Sequence, residues 1–411
     1  MENPYNITDP AKLLELKRLE NDALLDVLRT INHAELTIDK LCLIARNVLR
    51  AQLGVKKMIF YFETRGKWSE GFRLGVGPLP FPAYEELLTV KKIIPVKAST
   101  HPHLFQTSVE YVIPISSQET PQAYFLIGDF ADSEVEAQND LIFIETLGNI
   151  MLVAIQNKEL FEEKMRRELL LQELEVAEKI QSQLLISDFS RFKEIDVFGT
   201  NIPHHHIGGD FYDVIKKEKG TTFVCIADVS GKGIAAALLM SNLQANLRAL
   251  CAQYTDLETI IKELNLLLYK ITSGEKFVTL FLARIDKENQ SFTYVNAGHN
   301  YPFLIKGEEV YSLDQGCLLL GIVPELEVSQ HTLSFEEADT LFMYTDGVPE
   351  QRNQQDQMFG QEKLKNALLQ VKRHKAADMI QYLKVILEQY SDQTGWHDDI
   401  TMLAVKFVSK N

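Results

Sequence analysis

In the stretch FVCIADVSGKGIAAALLM, Phe223 to Met240, an apolar run ends on Asp228 and a small-residue turn leads into a helix-like segment. A carboxylate at the mouth of a buried strand is costly to desolvate unless a cation or a donor meets it. The plainer reading is that Asp228 caps the helix opening near Ile234, and only partners elsewhere in the chain decide between the two. Such partners exist. The apolar run in DTLFMYTDG leads to Asp346, HDDITMLAVKF carries Asp398 and Asp399 at its start, and GGDFYDV adds Asp210 and Asp213 behind two glycines. Glycine removes the side chain where a backbone must approach something closely. Several carboxylates at strand ends would repel one another in a low-dielectric site without a shared positive partner, and a divalent metal is the economical one.

The ligand type selects the metal. Carboxylates with no nearby cysteine and no H-x-x-x-H pair are hard oxygen donors, which favour Mg²⁺ or Mn²⁺ over zinc or copper. The run His204 to His206 does not change this, because consecutive residues of an extended segment point to opposite faces and cannot all meet one ion. These histidines are read as a surface loop or as support behind the ligands. SGKG is not a phosphate-cradling P-loop, since Lys232 is followed by Gly233 and no glycine stands six places before it.

The elements that must position these acids follow from the rest of the chain. Its 411 residues exceed a single core and predict two or three domains. A composition of 45% hydrophobic and 24% charged residues is that of a globular protein, and the net charge of -15 argues against nucleic acid as partner. Cys42, Cys225, Cys251 and Cys317 show neither zinc-knuckle nor disulfide spacing, which fits a reducing, cytoplasmic setting. No secretory leader is read at the N-terminus, and the most apolar stretch, Leu141 to Ile155, is broken by Glu145 and Asn149, so no membrane span is expected.

An N-terminal helix is expected over residues 1–19. A helix-strands-helix unit over 20–158, with KKMIFYFET, KKIIPVKAS, EYVIPISS and AYFLIGDF as antiparallel strands, resembles a GAF-type sensory domain in its element order. Residues 159–189 read as a connector helix in which Phe161, Met165, Leu169, Val176, Ile180 and Leu184 form one apolar stripe flanked by charges. That pattern suits a coiled coil between two protomers, the alternative being a solitary amphipathic helix. Residues 190–411 carry the carboxylates.

GGDFYDV, IADVSGKGIAAALLM, NAGHNYPFLI, LFMYTDGVPEQRN and HDDITMLAV, in that order over Gly208 to Val405, resemble the metal-dependent serine/threonine phosphatases of the PPM class and, more narrowly, its bacterial SpoIIE-type, RsbU-like branch. The resemblance implies an α+β chain: a PPM-type α-β-β-α sandwich of two antiparallel sheets, preceded here by the GAF-like α/β domain and the helical linker. It implies two Mn²⁺ or Mg²⁺ ions. Asp228 would bridge them, the Val229 carbonyl would serve the second ion, Asp346 and Asp398 would complete the first, and Asp210 would serve the second directly or through water. Asp228, Asp346 and Asp398 are thus the implied catalytic set, with Asp213, Asp399 and Ser230 as possible support. Metal-activated water would attack phosphorus in line with the serine or threonine oxygen, without a phosphoenzyme.

Two departures stand out. Ser230 occupies the place where eukaryotic members carry a histidine held to protonate the leaving group, and no phosphate-binding arginine precedes GGDFYDV. Both absences resemble the SpoIIE-type branch. His299 of NAGHN is given a packing or positioning role. The expected activity is hydrolysis of phosphoserine or phosphothreonine on a partner, a STAS-type anti-anti-sigma protein, by a cytoplasmic homodimer that receives a small-molecule or protein signal at its N-terminal domain. The rival from another class is a catalytically inactive phosphatase fold kept for signal binding or dimerisation. An anti-sigma kinase is set aside because its glycine-rich lid is absent.

Overall fold

The computed structural model describes residues 37–79, 81–116, 120–129, 134–204, 206–217, 221–391 and 395–408; the helix expected over 1–19 lies outside them. The chain divides into two compact units, Met1–Leu169 and Leu170–Asn411.

In the first unit, helix α1 (Ile38–Gln52) opens on Thr37, whose hydroxyl accepts from the Lys40 N–H. Strands β1 (Lys57–Thr64), β2 (Lys67–Leu74), β3 (Ile94–Pro95), β4 (Tyr111–Ile115) and β5 (Ala123–Gly128) form one antiparallel sheet in the order β2-β1-β5-β4-β3. The apolar runs read from the sequence are continuous rather than alternating because both faces of this sheet are buried. Met58, Phe60 and Phe125 pack with Leu41, Leu49, Leu147 and Met151 on one face, while Ile59, Tyr61 and Tyr124 pack with Leu87 and Leu104 on the other. Leu87 belongs to α2 (Phe81–Leu88) and Leu104 to α3 (Pro102–Phe105).

Helix α4 spans Glu134–Leu184, 51 residues. The segments read separately as a domain-closing helix and a connector are one continuous element, because no proline interrupts them and the single glycine, Gly148, fits the core: a Cβ there would press on Phe125 at 2.9 Å. Phe161, Met165, Leu169, Val176 and Ile180 are exposed on it.

The second unit holds two sheets. The first has the order β13-β10-β9-β8-β7, with β14 also on β10: β7 (Phe211–Lys216), β8 (Thr221–Val229), β9 (Val278–Asp286), β10 (Ser291–Ala297), β13 (Gly316–Cys317) and β14 (His331–Ser334). The second runs β12-β11-β15-β16-β6: β6 (Ile195–Ile202), β11 (Phe303–Lys306), β12 (Glu309–Ser312), β15 (Thr340–Tyr344) and β16 (Ile400–Phe407).

Strand alternation sorts the side chains into three layers of core. Phe223, Cys225 and Ala227 of β8 face α5 (Ile234–Gln253) and α6 (Leu257–Thr272). Val224 and Ile226 face the other sheet, meeting Leu341, Met343, Leu403 and Val405. Phe342, Tyr344, Met402 and Ala404 face α8 (Gln361–Val371) and α9 (Ala376–Ser391). This is a helix-sheet-sheet-helix sandwich, as the sequence motifs imply for this part of the chain.

Candidate metal centre

Antiparallel pairing gathers the acids. Phe211 lies opposite Ala227, so Asp210, one residue before β7, comes beside Asp228 near the end of β8. In the other sheet Tyr344 lies opposite Met402, which brings Asp346, at the start of the short helix α7 (Gly347–Glu350), towards Asp398 and Asp399 just before β16. One hydrogen bond closes the two sheets over the site: the Thr345 hydroxyl donates to Asp210 Oδ2 at 2.7 Å. Asn201 of β6 adds a second tie, donating to the Asp210 carbonyl at 3.3 Å and to the Thr401 hydroxyl at 2.8 Å.

The two glycines before Asp210 are needed for contact. A Cβ on Gly209 would sit 2.7 Å from the Val229 carbonyl oxygen, and one on Gly208 would collide with the Asp399 carboxylate. Asp399 itself accepts from the His204 N–H at 2.8 Å and the Gly209 N–H at 3.3 Å, so its carboxylate orients the loop that presents Asp210.

The electrostatics record a surplus of negative charge. Burial, then the Asp346 carboxylate, then Asp398 and Asp399, push Asp228 up to about 6, against a hydrogen bond from Asp210. Asp210 is held well above the usual carboxylate range by burial and by Asp228, although Thr345 and Thr401 favour its charged form. Burial also raises Asp346, helped by Glu350 and Asp398, and raises Asp399 against its backbone hydrogen bonds. Among the described residues one ion pair meets this set: the Lys232 ammonium lies 2.9 Å and 3.0 Å from the two oxygens of Asp398.

The donor set fits a hard divalent cation, being all carboxylate and carbonyl oxygen with charge left unbalanced. Among the described residues no three carboxylates, imidazoles or thiols already close around one ion-sized point. Instead Asp210 accepts from the Thr345 hydroxyl and Asp398 is paired with the Lys232 ammonium.

Asp213, read as possible support, is not brought to this cluster. It sits on β7 opposite Cys225, on the helix-facing side, where Arg248 of α5 donates from Nε to Oδ2 at 2.6 Å and from Nη2 to Oδ1 at 3.2 Å. Its side chain is 1% exposed and that of Arg248 45%, so it is the buried half of an ion pair that fastens α5 to the sheet. The sequence alone makes Asp213 possible support, but strand alternation sends its side chain to the other face.

Ser230 ties the SGKG turn to the segment before β9: its hydroxyl accepts from the Phe277 N–H at 2.9 Å and its own N–H donates to the Phe277 carbonyl at 2.9 Å. Ser230→Ala removes one of these two bonds and no group aimed at the carboxylates. Turnover is expected to fall only a few-fold, about the effect of one hydrogen bond; steady-state kinetics showing a loss as deep as that at Asp228 would make Ser230 a participant.

His299 is buried and fully bonded. Its Nδ1 meets the Thr279 hydroxyl at 2.8 Å, its Nε2 meets the Tyr344 carbonyl at 3.1 Å, and its N–H donates to Asn296 Oδ1 at 2.7 Å. Burial lowers its pKa to about 4, so the ring is neutral near pH 7 and cross-links the two sheets behind Asp228, whose strand partner is Thr279. His204 contributes its backbone, His206 pairs with Glu178 at 3.2 Å, and residue 205 lies outside the described residues.

Sequence reasoning missed Gln181, Asn201, Thr345 and Thr401. Gln181, in the last turn of α4, donates to the Gly208 carbonyl at 2.8 Å and accepts from the Gly208 N–H at 3.2 Å. The threonines carried a faint signal as neighbours of the acids in YTDG and DDIT; Gln181 and Asn201 carried none.

Comparison with known proteins agrees with this fold. The family model Stage II sporulation protein E (SpoIIE) matches residues 218–408, a range that begins after Asp210. Phosphoserine phosphatase RsbU of Bacillus subtilis (strain 168) is 28% identical over 236 residues, covering 57% of this chain and 70% of that protein. Phosphoserine phosphatase RsbP of the same organism is 28% identical over 182 residues, covering 43% of this chain and 45% of that protein. Among solved structures, the SiaA-PP2C domain of Pseudomonas aeruginosa aligns with a TM-score of 0.53 at 19% identity, covering 59% of this chain and 98% of that domain, which is agreement of fold.

Proposed function

We propose that the chain, whose residues 218–408 match the SpoIIE family model, is a protein serine/threonine phosphatase of the SpoIIE-type branch of the PPM class and hydrolyses phosphoserine or phosphothreonine on a partner protein at the edge marked by Asp228. The observation that carries this reading is the convergence of Asp210, Asp228, Asp346, Asp398 and Asp399 from both sheets, with a charge surplus that raises the pKa of Asp228. Asp228, Asp346, Asp398 and Asp210, with the Val229 carbonyl, would hold two Mn²⁺ or Mg²⁺ ions, which would supply an activated water and balance charge on the phosphoryl oxygens. Thr345 orients Asp210 and Asp399 orients the loop before it. His299 does not donate a proton to the leaving group, since both ring nitrogens are engaged away from solvent. Phosphate release from a phosphoserine protein, dependent on Mn²⁺ or Mg²⁺ and abolished by chelation, tests the reading; binding of the phosphoprotein without turnover at saturating metal would favour an inactive docking module instead.

The substrate in this reading is a STAS-type anti-anti-sigma protein, and the setting is the cytoplasm. Residues 20–158 act as a GAF-like receiver and the exposed stripe on α4 pairs two copies as a coiled coil, support for which is the run of exposed Phe161, Met165, Leu169, Val176 and Ile180. Leu169→Lys with Val176→Lys is expected to convert a dimer to monomer in sedimentation and to uncouple activity from the N-terminal signal. A double mutant that stays dimeric and responsive would remove the helix from this role.

A further inference from the structure

The site holds one cation whose role neither the metal nor the packing explains. Lys232 lies on the turn between β8 and α5, flanked by Gly231 at φ +100° and Gly233 at φ +73°, and its ammonium grips both oxygens of Asp398. The two side chains are 57% and 38% exposed, so the pair is solvated and contributes little to stability. Lys276 approaches the same turn, its Nζ lying 2.9 Å from where a Cβ on Gly231 would sit. Arg248 is committed to Asp213 on the far face of the sheet.

We propose that Lys232 is the residue that binds and orients the phosphoryl group, parked on Asp398 until a divalent ion takes that carboxylate. This rests on the phosphatase reading of the same site. A weak, solvent-exposed ion pair yields to a divalent cation, which draws more strongly on the same two oxygens. The released ammonium remains tethered at the mouth of the site, where the strongest unpaired negative charge is then the phosphoryl oxygens of the substrate, and an ammonium on a flexible stem is a recognised point-charge ligand for phosphate. Lys232 thus couples phosphate binding to metal loading, because its release depends on the ion.

The experiment uses the full chain with Lys232→Met and Lys232→Arg, folding being checked by circular dichroism. Mn²⁺ alone is titrated calorimetrically, then inorganic phosphate is titrated into the Mn²⁺-loaded protein, and KM and kcat are measured on a phosphoserine peptide. Removing the competing ammonium should tighten Mn²⁺ binding several-fold in Lys232→Met, while phosphate affinity falls and KM rises by about tenfold, the worth of one charge-assisted hydrogen bond; Lys232→Arg should recover most of the phosphate affinity. Unchanged phosphate affinity and KM in Lys232→Met, or weaker Mn²⁺ binding, would overturn the proposal. Both titrations are independent of turnover, so a wild-type chain with no metal-dependent hydrolysis would sink the phosphatase reading while the role of Lys232 was still decided.

Discussion

Asp228→Asn is expected to abolish Mn²⁺-dependent phosphate release, by a factor of at least about 10³, and at the same time to raise the melting temperature of the metal-free protein. The two effects have one cause. Burial and the facing carboxylates push the Asp228 pKa up to about 6 from 3.8, so its charge is a penalty in the folded, metal-free chain. The penalty is on the order of 2–3 kcal/mol at pH 7. Its sign follows from proton uptake: the folded state holds the proton more tightly than the unfolded one, so the metal-free protein gains stability from this group as pH falls through about 6 towards 3.8. The neutral amide removes both the penalty and its pH dependence, and also the charge that would bind the ions. Calorimetry of the metal-free variant and a phosphate-release assay on the same preparation check both halves; near-wild-type turnover in a folded protein would refute the assignment of Asp228.

The second large effect is on stability. His299→Ala should destabilise the C-terminal unit by about 3 kcal/mol, because it opens a cavity in the core and leaves the Tyr344 carbonyl and the Thr279 hydroxyl without their buried partner. The wild-type histidine also has a pH signature. Its folded pKa, about 4, lies below the ordinary 6.5, so the unfolded chain takes up the proton first. The contribution is whole above about pH 6.5, is lost as pH falls towards 4, and amounts to roughly 3 kcal/mol at 1.36 kcal/mol per unit. That loss opposes the gain from Asp228 over the same window. Denaturant unfolding from pH 4 to 7.5 on the two single variants separates them: Asp228→Asn should fall more steeply towards acid than wild type, and His299→Ala less steeply. A flat difference between His299→Ala and wild type across this range would place a charged or solvated ring there.

What the sequence disclosed and what it hid divide along physical lines. Asp228, Asp346, Asp398 and Asp399 were legible because an acid beside an apolar run is expensive, and Gly208 and Gly209 because they mark close backbone approach. The strand-to-layer assignment of Phe223 or Leu403 was not legible, since strands buried on both faces lose the alternation that would reveal it. Asp213 misled for the related reason that its strand pairing, and not its spacing from Asp210, decides which face it takes. Gln181 and Asn201 were silent because an amide side chain carries no signature until the backbone it bonds has been brought near. The unbroken course of α4 from Glu134 was hidden because the sequence suggests a domain boundary after residue 158, where the buried Leu152 and Ile155 give way to the exposed stripe from Phe161 on the same helix.

The two hydrogen bonds between Gln181 and Gly208 have a consequence for local unfolding. The last turn of α4 is also held through the Leu184 carbonyl, which accepts from Gln244 of α5 at 2.8 Å. Fraying of that turn therefore strips both peptide groups of Gly208 of their partner, two residues before Asp210. The helix end and the glycine loop are expected to open as one unit, so that hydrogen exchange should find their amide protons exchanging together while the strands on either side stay protected. Order in the loop is thus set by a free energy of opening that belongs to the helix, and whatever firms or loosens that turn shifts the population of loops able to hold Asp210 in place.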